Sequence, residues 1–308
     1  MTFIDCIESK KSILMEGALG ERLKREYNLK FDADVDMAGF VYSEAGRTSL
    51  RNLWNEYAVI AKTYHLPFLA TTPTRRANQE RVKSSCFHAS IIKDNVAFLR
   101  SVQKENDPEM YVGGLMGCRG DAYTGVGCLS TQDALDFHSW EISLFKQAGV
   151  DFLYAALIPS LDEAAGIALA IQKVKIPYIV SFTIQKNGCL VDGTPISEAV
   201  QYIDHTVEIP PVCYMTNCVH PNIVYEALSN PINNCEPIRK RFIGIQANTA
   251  ALSFAELDGS KELKTSDPAE LAEAMLKLRE IVPFKIFGGC CGTDGRHMTE
   301  IAKRISPM

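Results

Sequence analysis

The stretch VDFLYAALIPSLDEAAGIALAIQKVKIPYIVSFT, Val150 to Thr183, contains one complete structural period of the chain. Phe152 to Leu157 is a short run apolar on both faces, as a strand covered on both sides must be. An amphipathic segment, Asp162 to Lys173, follows, and Pro177 to Thr183 is a second apolar, β-branched run. A strand, a helix of about a dozen residues and another strand form a βαβ unit, which demands parallel strands. The same rhythm extends outward in both directions. Strands are predicted at Ser12–Met15, Pro67–Thr72, Met110–Leu115, Phe152–Leu157, Pro177–Thr183, Pro211–Thr216, Phe242–Gln246 and Phe284–Phe287. Helices are predicted at Ser49–Tyr64, Val82–Val102, Gln132–Ala148, Asp162–Lys173, Pro268–Ile281 and Arg296–Arg304. Asp267 and Pro268 supply an N-cap followed by proline at the first helical position. Eight such units favour a closed (β/α)8 TIM barrel over an open doubly wound sheet. No Pro/Gly/Ser linker, low-complexity tract or fixed-period repeat divides the chain, so residues 1–308 are read as a single domain. The polar segment Glu26–Arg47 reads as an insertion after the first strand, covering the barrel mouth.

Composition narrows the function classes. Of 308 residues 46% are hydrophobic and 22% charged, and 32 Lys+Arg against 37 Asp+Glu give a formal net charge of -5. A mildly acidic chain without a basic run has no electrostatic reason to bind nucleic acid. Asp5, Glu8, Lys10 and Lys11 interrupt the N-terminal apolar residues, so a secretory h-region is missing and a cytoplasmic protein is expected. No apolar run reaches the roughly 18 residues needed to cross a bilayer, and no membrane partner is expected. In a reducing compartment the 10 cysteines are free thiols or metal ligands.

Two of those cysteines are adjacent. In FGGCCGT, Cys290 and Cys291 follow the eighth strand between Gly288, Gly289 and Gly292. Consecutive side chains of a regular strand point to opposite faces, so both thiols reach one ion only where the backbone leaves strand geometry, which the glycines permit. Cys218, in TNCVHP, falls just past the sixth strand and therefore on the same C-terminal rim, where barrel enzymes place their chemistry. Three thiolates on one rim suit Zn2+ with its fourth position open to substrate, whereas an iron–sulfur cluster would want a fourth cysteine. The alternative is a vicinal redox pair with Cys218 unrelated. Cys6, Cys86, Cys118, Cys128, Cys189, Cys213 and Cys235 read as small packing residues.

GGCC at the last strand, Asn217, Cys218 and Pro221 after the sixth, EGALGERL after the first, Tyr123 to Gly125 (YTG) and AGVDFLYAALIPSLDEA together resemble the zinc-dependent homocysteine S-methyltransferase family. The likeness is ordered along nearly the whole chain. It implies that Cys218, Cys290 and Cys291 hold zinc, and that a thiol substrate takes the fourth position as thiolate and attacks a methyl group. The donor in such proteins is a sulfonium, a quaternary ammonium, a methylated folate or a methylcorrinoid. By the same resemblance Glu16, Gly17 and Ala18 meet the amino-acid end of the acceptor, turn amides on its carboxylate and Glu16 on its ammonium. Asn248 falls beside the metal, holding the open site when substrate is absent.

Two positions depart from the family pattern. Ala156 stands where the family carries a Glu that grips the ammonium, for which Glu16 or Asp121 would have to compensate. Arg75 stands where the family generally has an aromatic ring. A ring attracts a methylonium by cation–π interaction, whereas a guanidinium repels cations and attracts carboxylate or phosphate. Tyr123 and Tyr154 are the remaining ring candidates. The sequence thus predicts a zinc-dependent S-methyltransferase acting on homocysteine or a related small thiol, with a donor such as a folate or a corrinoid carried by another protein. The competing readings are a noncatalytic zinc- or thiol-binding protein, including a methyl-accepting subunit that works with a partner, and a barrel lyase. The lyase lacks a lysine at the catalytic rim, since Lys285 lies at the start of the eighth strand, on the opposite rim. An S-adenosylmethionine-binding, doubly wound methyltransferase is disfavoured because no Gly-rich loop of the expected spacing follows the first strand.

Overall fold

The computed structural model describes residues 1–106, 109–250 and 265–306. Eight strands follow one another around a closed, all-parallel barrel: β1 (Ile13–Met15), β2 (Phe68–Thr71), β3 (Met110–Gly117), β4 (Phe152–Ile158), β5 (Tyr178–Phe182), β6 (Cys213–Val219), β7 (Phe242–Ala247) and β8 (Ile286–Gly289). Closure is made by β8 against β1, where Ile13 faces Ile286 and Leu14 faces Phe287. All eight predicted strands are present, and β3, β6 and β8 run further toward the C-terminal rim than the apolar pattern reached. The added residues include Gly117, Asn217, Cys218, Gly288 and Gly289, which carry little strand signal of their own.

Alternation sorts each strand into two cores. Ile13, Met15, Leu69, Tyr111, Tyr154, Ala156, Cys213, Met215 and Ile286 share the inner cluster. Leu14, Ala70, Val112, Ala155, Tyr214 and Phe287 belong to the outer cluster, packed under the helices. The helix Glu44–Thr63 buries Leu50, Leu53, Trp54 and Tyr57 on one face, and Leu161–Gln172 is buried almost all round. The predicted helix Val82–Val102 is two helices, Gln79–Ser84 and Ser90–Asn106. Ser85 accepts the Phe87 amide on its own hydroxyl (3.1 Å), a local turn that competes with helix continuation.

The segment expected to cover the mouth brings Asp36 to the charges of Arg75, Arg76 and Arg81 after β2. Its 3-10 turn Met37–Tyr42 lies against Ser90–Asn106, where Asn95 Nδ2 donates to Ala38 O at 3.0 Å. At the opposite end a helix that the strand rhythm did not predict, Phe3–Ser9, closes the barrel floor. Phe3 stacks on Phe152 with ring centroids 4.4 Å apart, and Lys285 Nζ donates to Ile7 O at 3.0 Å. Lys285 therefore belongs to the N-terminal rim, far from any chemistry at the mouth. Among the described residues no helix is long and apolar enough to cross a membrane.

Candidate metal centre

Cys218 is brought to the site by a backbone irregularity. Cys213 and Met215 of β6 face inward, so strict alternation would aim Asn217 inward and Cys218 outward. The β6–β7 register shifts between Asn217 and Val219, and Cys218 takes a left-handed conformation with φ 60. Such a conformation costs a non-glycine residue on the order of 1–3 kcal/mol and persists only where surrounding contacts impose it. Here Thr216 and Asn217 on one side and Asn248 N, donating to Val219 O at 3.0 Å, on the other fix the bend.

Cys290 and Cys291 leave β8 in a turn. Cys290 N donates to Ala247 O at 2.7 Å, Thr249 N to Cys291 O at 3.1 Å, and Thr293 N to Cys290 O at 3.1 Å. Gly292 closes the turn at φ 86, a region that a side chain disfavours. The three sulfurs lie within 4.8 Å of one another, and Cys218 Sγ is 3.7 Å from Cys291 Sγ. Cys218 and Cys290 are half-buried and Cys291 is exposed. Among the described residues this is the group of side chains able to hold a metal ion.

The environment favours a thiolate on Cys218. Its pKa is held well below the ordinary thiol range by hydrogen bonds from the Cys290 and Cys291 thiols first, then from Tyr123 and Asn248, against desolvation. The same bonds push the Cys290 thiol up. Tyr123 is thereby placed beside the cluster, on a turn after β3 whose Asp121 Oδ1 accepts the Tyr123 and Thr124 amides at 2.9 and 2.7 Å. Asn248 is buried, and its Oδ1 has no partner among the described residues. A soft donor set with an orphaned acceptor beside it fits a thiophilic ion with room for a further ligand.

Glu16, Gly17 and Ala18 leave β1 at its C-terminal end. Met15 points into the barrel, so Glu16 turns outward, where Trp54 Nε1 donates to its Oε2 at 2.8 Å and Thr71 N and Oγ1 donate to Oε1. Burial raises the Glu16 pKa to about 7, with the bonds from Thr71 and Trp54 opposing it. The Ala18 amide donates to Thr293 Oγ1 at 3.0 Å, and Gly17 sits against the ring of Tyr57. In this arrangement the Glu16 carboxylate and the Ala18 amide are engaged within the protein. Ala156 faces the interior, as the family's Glu would, next to Tyr154, whose hydroxyl donates to Gln246 Oε1 at 2.9 Å. Asn217 Oδ1 accepts Ser181 Oγ at 2.6 Å and Leu157 N at 3.2 Å. These neutral amides line the upper barrel, and Asn217 carries no signal in the sequence beyond its place in TNCVHP. Arg75 reaches inward over the end of β3, its Cγ lying where a side chain on Gly117 would stand.

Fold and site together define a (β/α)8 barrel with a three-thiol, metal-competent centre on its C-terminal rim. The chain belongs to the homocysteine S-methyltransferase family, whose model matches residues 13–305. Among curated relatives, the homocysteine S-methyltransferase YbgG of Bacillus subtilis is 26% identical over 191 residues, 59% of this chain and 56% of that protein. Homocysteine S-methyltransferase 3 of Arabidopsis thaliana is 24% identical over 195 residues, 61% of this chain and 53% of that protein. The matched stretch thus spans just over half the length of these relatives. Among solved structures, the metallated homocysteine methyltransferase MmuM of Escherichia coli shares the fold with a TM-score of 0.75 at 17% identity, over 97% of this chain and 98% of that one.

Proposed function

We propose that the chain, as one barrel domain, transfers a methyl group to the sulfur of homocysteine or a closely related small thiol, using zinc held by Cys218, Cys290 and Cys291. The observation that carries this reading is the convergence of three cysteine sulfurs within 4.8 Å on the catalytic rim of a barrel of this family. Homocysteine is the acceptor named for both curated relatives. Zinc is favoured by spacing as well as by softness: two sulfurs at about 2.3 Å from a tetrahedral zinc stand roughly 3.8 Å apart, and Cys218 and Cys291 are at 3.7 Å. Zinc at this position would keep a coordinated substrate thiol deprotonated at neutral pH while leaving it nucleophilic.

The remaining work falls to side chains. Tyr123 and Asn248 donate toward Cys218 and hold its charged form in place. Asn248 Oδ1 offers an acceptor to a polar group of the bound thiol. The buried Tyr154, Gln246 and Asn217 form a polar but uncharged floor that limits water beneath the sulfur. In-line methyl transfer then needs mainly positioning, because no proton moves once the thiolate exists.

Single Cys218→Ser, Cys290→Ser and Cys291→Ser variants are expected to lose most bound zinc and all methyl transfer to homocysteine, with far-UV circular dichroism near wild type. Full zinc retention in all three variants would remove this reading. A second reading, a thiol-binding or methyl-accepting subunit, is favoured by Ala156, which leaves an α-ammonium without the family's carboxylate. Tight homocysteine binding by the zinc protein, with no turnover on sulfonium, ammonium or folate donors, would select it.

A further inference from the structure

Arg75 and Arg76 differ from the other arginines of the chain. Each of the others donates a side-chain hydrogen bond, as Arg119 does to Glu80, Arg100 to Asp151 and Arg241 to Asp204. Among the described residues Arg75 and Arg76 make no side-chain hydrogen bond or ion pair, although both are half-buried. A half-buried arginine with no acceptor among the described residues keeps its five donors available to an anion.

Its direction follows from β3. Tyr111 and Leu115 belong to the inner cluster, so Gly117 also faces inward at the mouth. A side chain at Gly117 would stand 2.8 Å from Arg75 Cγ and 3.0 Å from Arg75 O. Glycine at this position is what lets the Arg75 stem cross the rim toward the mouth. Behind it, Arg76 and Arg81 join Arg75 around the Asp36 carboxylate. Arg81 is made easier to deprotonate by burial first and then by Arg76 and Arg75, the signature of cations crowded together. The nearby carboxylates are otherwise engaged: Asp32 Oδ1 caps the Asp34 and Val35 amides, Asp121 Oδ1 caps the Tyr123 turn, and Glu80 holds Arg119. Asp34 and Asp36 face the cluster without forming an ion pair with it.

We propose that Arg75, backed by Arg76 and Arg81, determines specificity for the methyl carrier by binding a carboxylate or phosphate of that carrier, an assignment that rests on the methyltransferase reading above. The planar guanidinium fork matches either anion in bidentate fashion. An amino-acid thiol brings an ammonium beside its carboxylate, so its neutral head gains little from three guanidinia. A carrier with uncompensated anions gains most, and a small onium without an anion is repelled. In the transfer the thiolate pair forms the carbon–sulfur bond while the methyl–carrier bond breaks and its pair leaves with the carrier. Arg75 positions the carrier and exchanges no proton.

Calorimetric titration of the chelator-treated protein with inorganic phosphate and with glutarate tests the subsite without turnover. Wild type is expected to bind at least one probe, and the tighter one identifies the carrier's anion. Arg75→Ala should weaken that binding by about tenfold or more and Arg75→Lys by less, since lysine keeps the charge but loses the fork. Saturating homocysteine on the zinc-loaded protein is expected to leave the probe bound. Unchanged affinity in Arg75→Ala, or binding of neither probe, overturns the proposal. Displacement of the probe by homocysteine moves the guanidinium to the acceptor and overturns it equally. Because these titrations read binding alone, a failure of the methyl-transfer assay would not alter them.

Discussion

Glu16 separates a residue's chemistry from its position. Both carboxylate oxygens are consumed by Trp54 and Thr71, in a pocket where Glu16 is 3% exposed. Glu16→Ala would strand the indole N–H and the Thr71 amide, each a buried donor whose loss of partner costs about 1–3 kcal/mol. We expect urea unfolding of this variant to report a loss of that order, with zinc content unchanged. A drop in zinc content alone, at full stability, would instead place Glu16 at the metal. The cysteines were legible in the sequence because a vicinal thiol pair among glycines has few structural explanations. The orientation of Glu16 was not legible: it turns on the register of a three-residue strand, and a shift of one residue exchanges the inner and outer faces. The inward reach of Arg75 depends on Gly117, 42 positions away, and no local pattern connects the two.

At the scale of elements, a buried His138 joins two neighbouring helices and a rim turn. His138 lies on Thr131–Ala148 with Glu141, Nδ1 to Oε1 at 2.6 Å, and its Nε2 meets Glu163 of Leu161–Gln172 at 3.1 Å. Glu163 Oε1 also accepts the Arg119 amide at 2.7 Å, which anchors the turn bearing Tyr123. Desolvation would lower the His138 pKa, but the bonds to Glu141 and Glu163 overcome it and raise the value to about 9. A folded-state pKa above the unfolded 6.5 gives stability that is complete below pH 6.5 and is lost as pH rises through 9. Wild-type Tm should therefore fall between those values. His138→Ala should abolish that slope and cost roughly 3–5 kcal/mol, because it leaves buried carboxylates without their counter-charge. A Tm that is flat across this range would show a neutral imidazole. The two helices themselves were readable from periodicity, whereas their ionic junction was not, since Glu163 carries the marks of an ordinary first-turn acid.

For the whole molecule, the barrel has two ends with separate duties. The floor is closed by Phe3, Cys6 and Ile7, which complete the inner cluster beneath Tyr111 and Phe152. Phe3→Ala should remove about 3–5 kcal/mol of stability while leaving zinc content and acceptor binding as in wild type. Loss of zinc in that variant would mean that floor and rim fold as one unit. The parallel, doubly covered strands made this architecture readable from end to end, and the floor helix escaped because Phe3–Ser9 is too short to show a period.

The placement of Arg75 after β2, on a different arc from the thiols that arrive after β6 and β8, bears on how such a site diversifies. The groups that would activate the acceptor and those that would recognise the carrier sit on different arcs of the ring, encoded by separate stretches of the gene. With Arg75 reading the carrier as proposed, variation in residues 72–81 would retune carrier choice while the thiol arc stayed fixed. On that reading new donors would be adopted by descent without rebuilding the three-thiol centre.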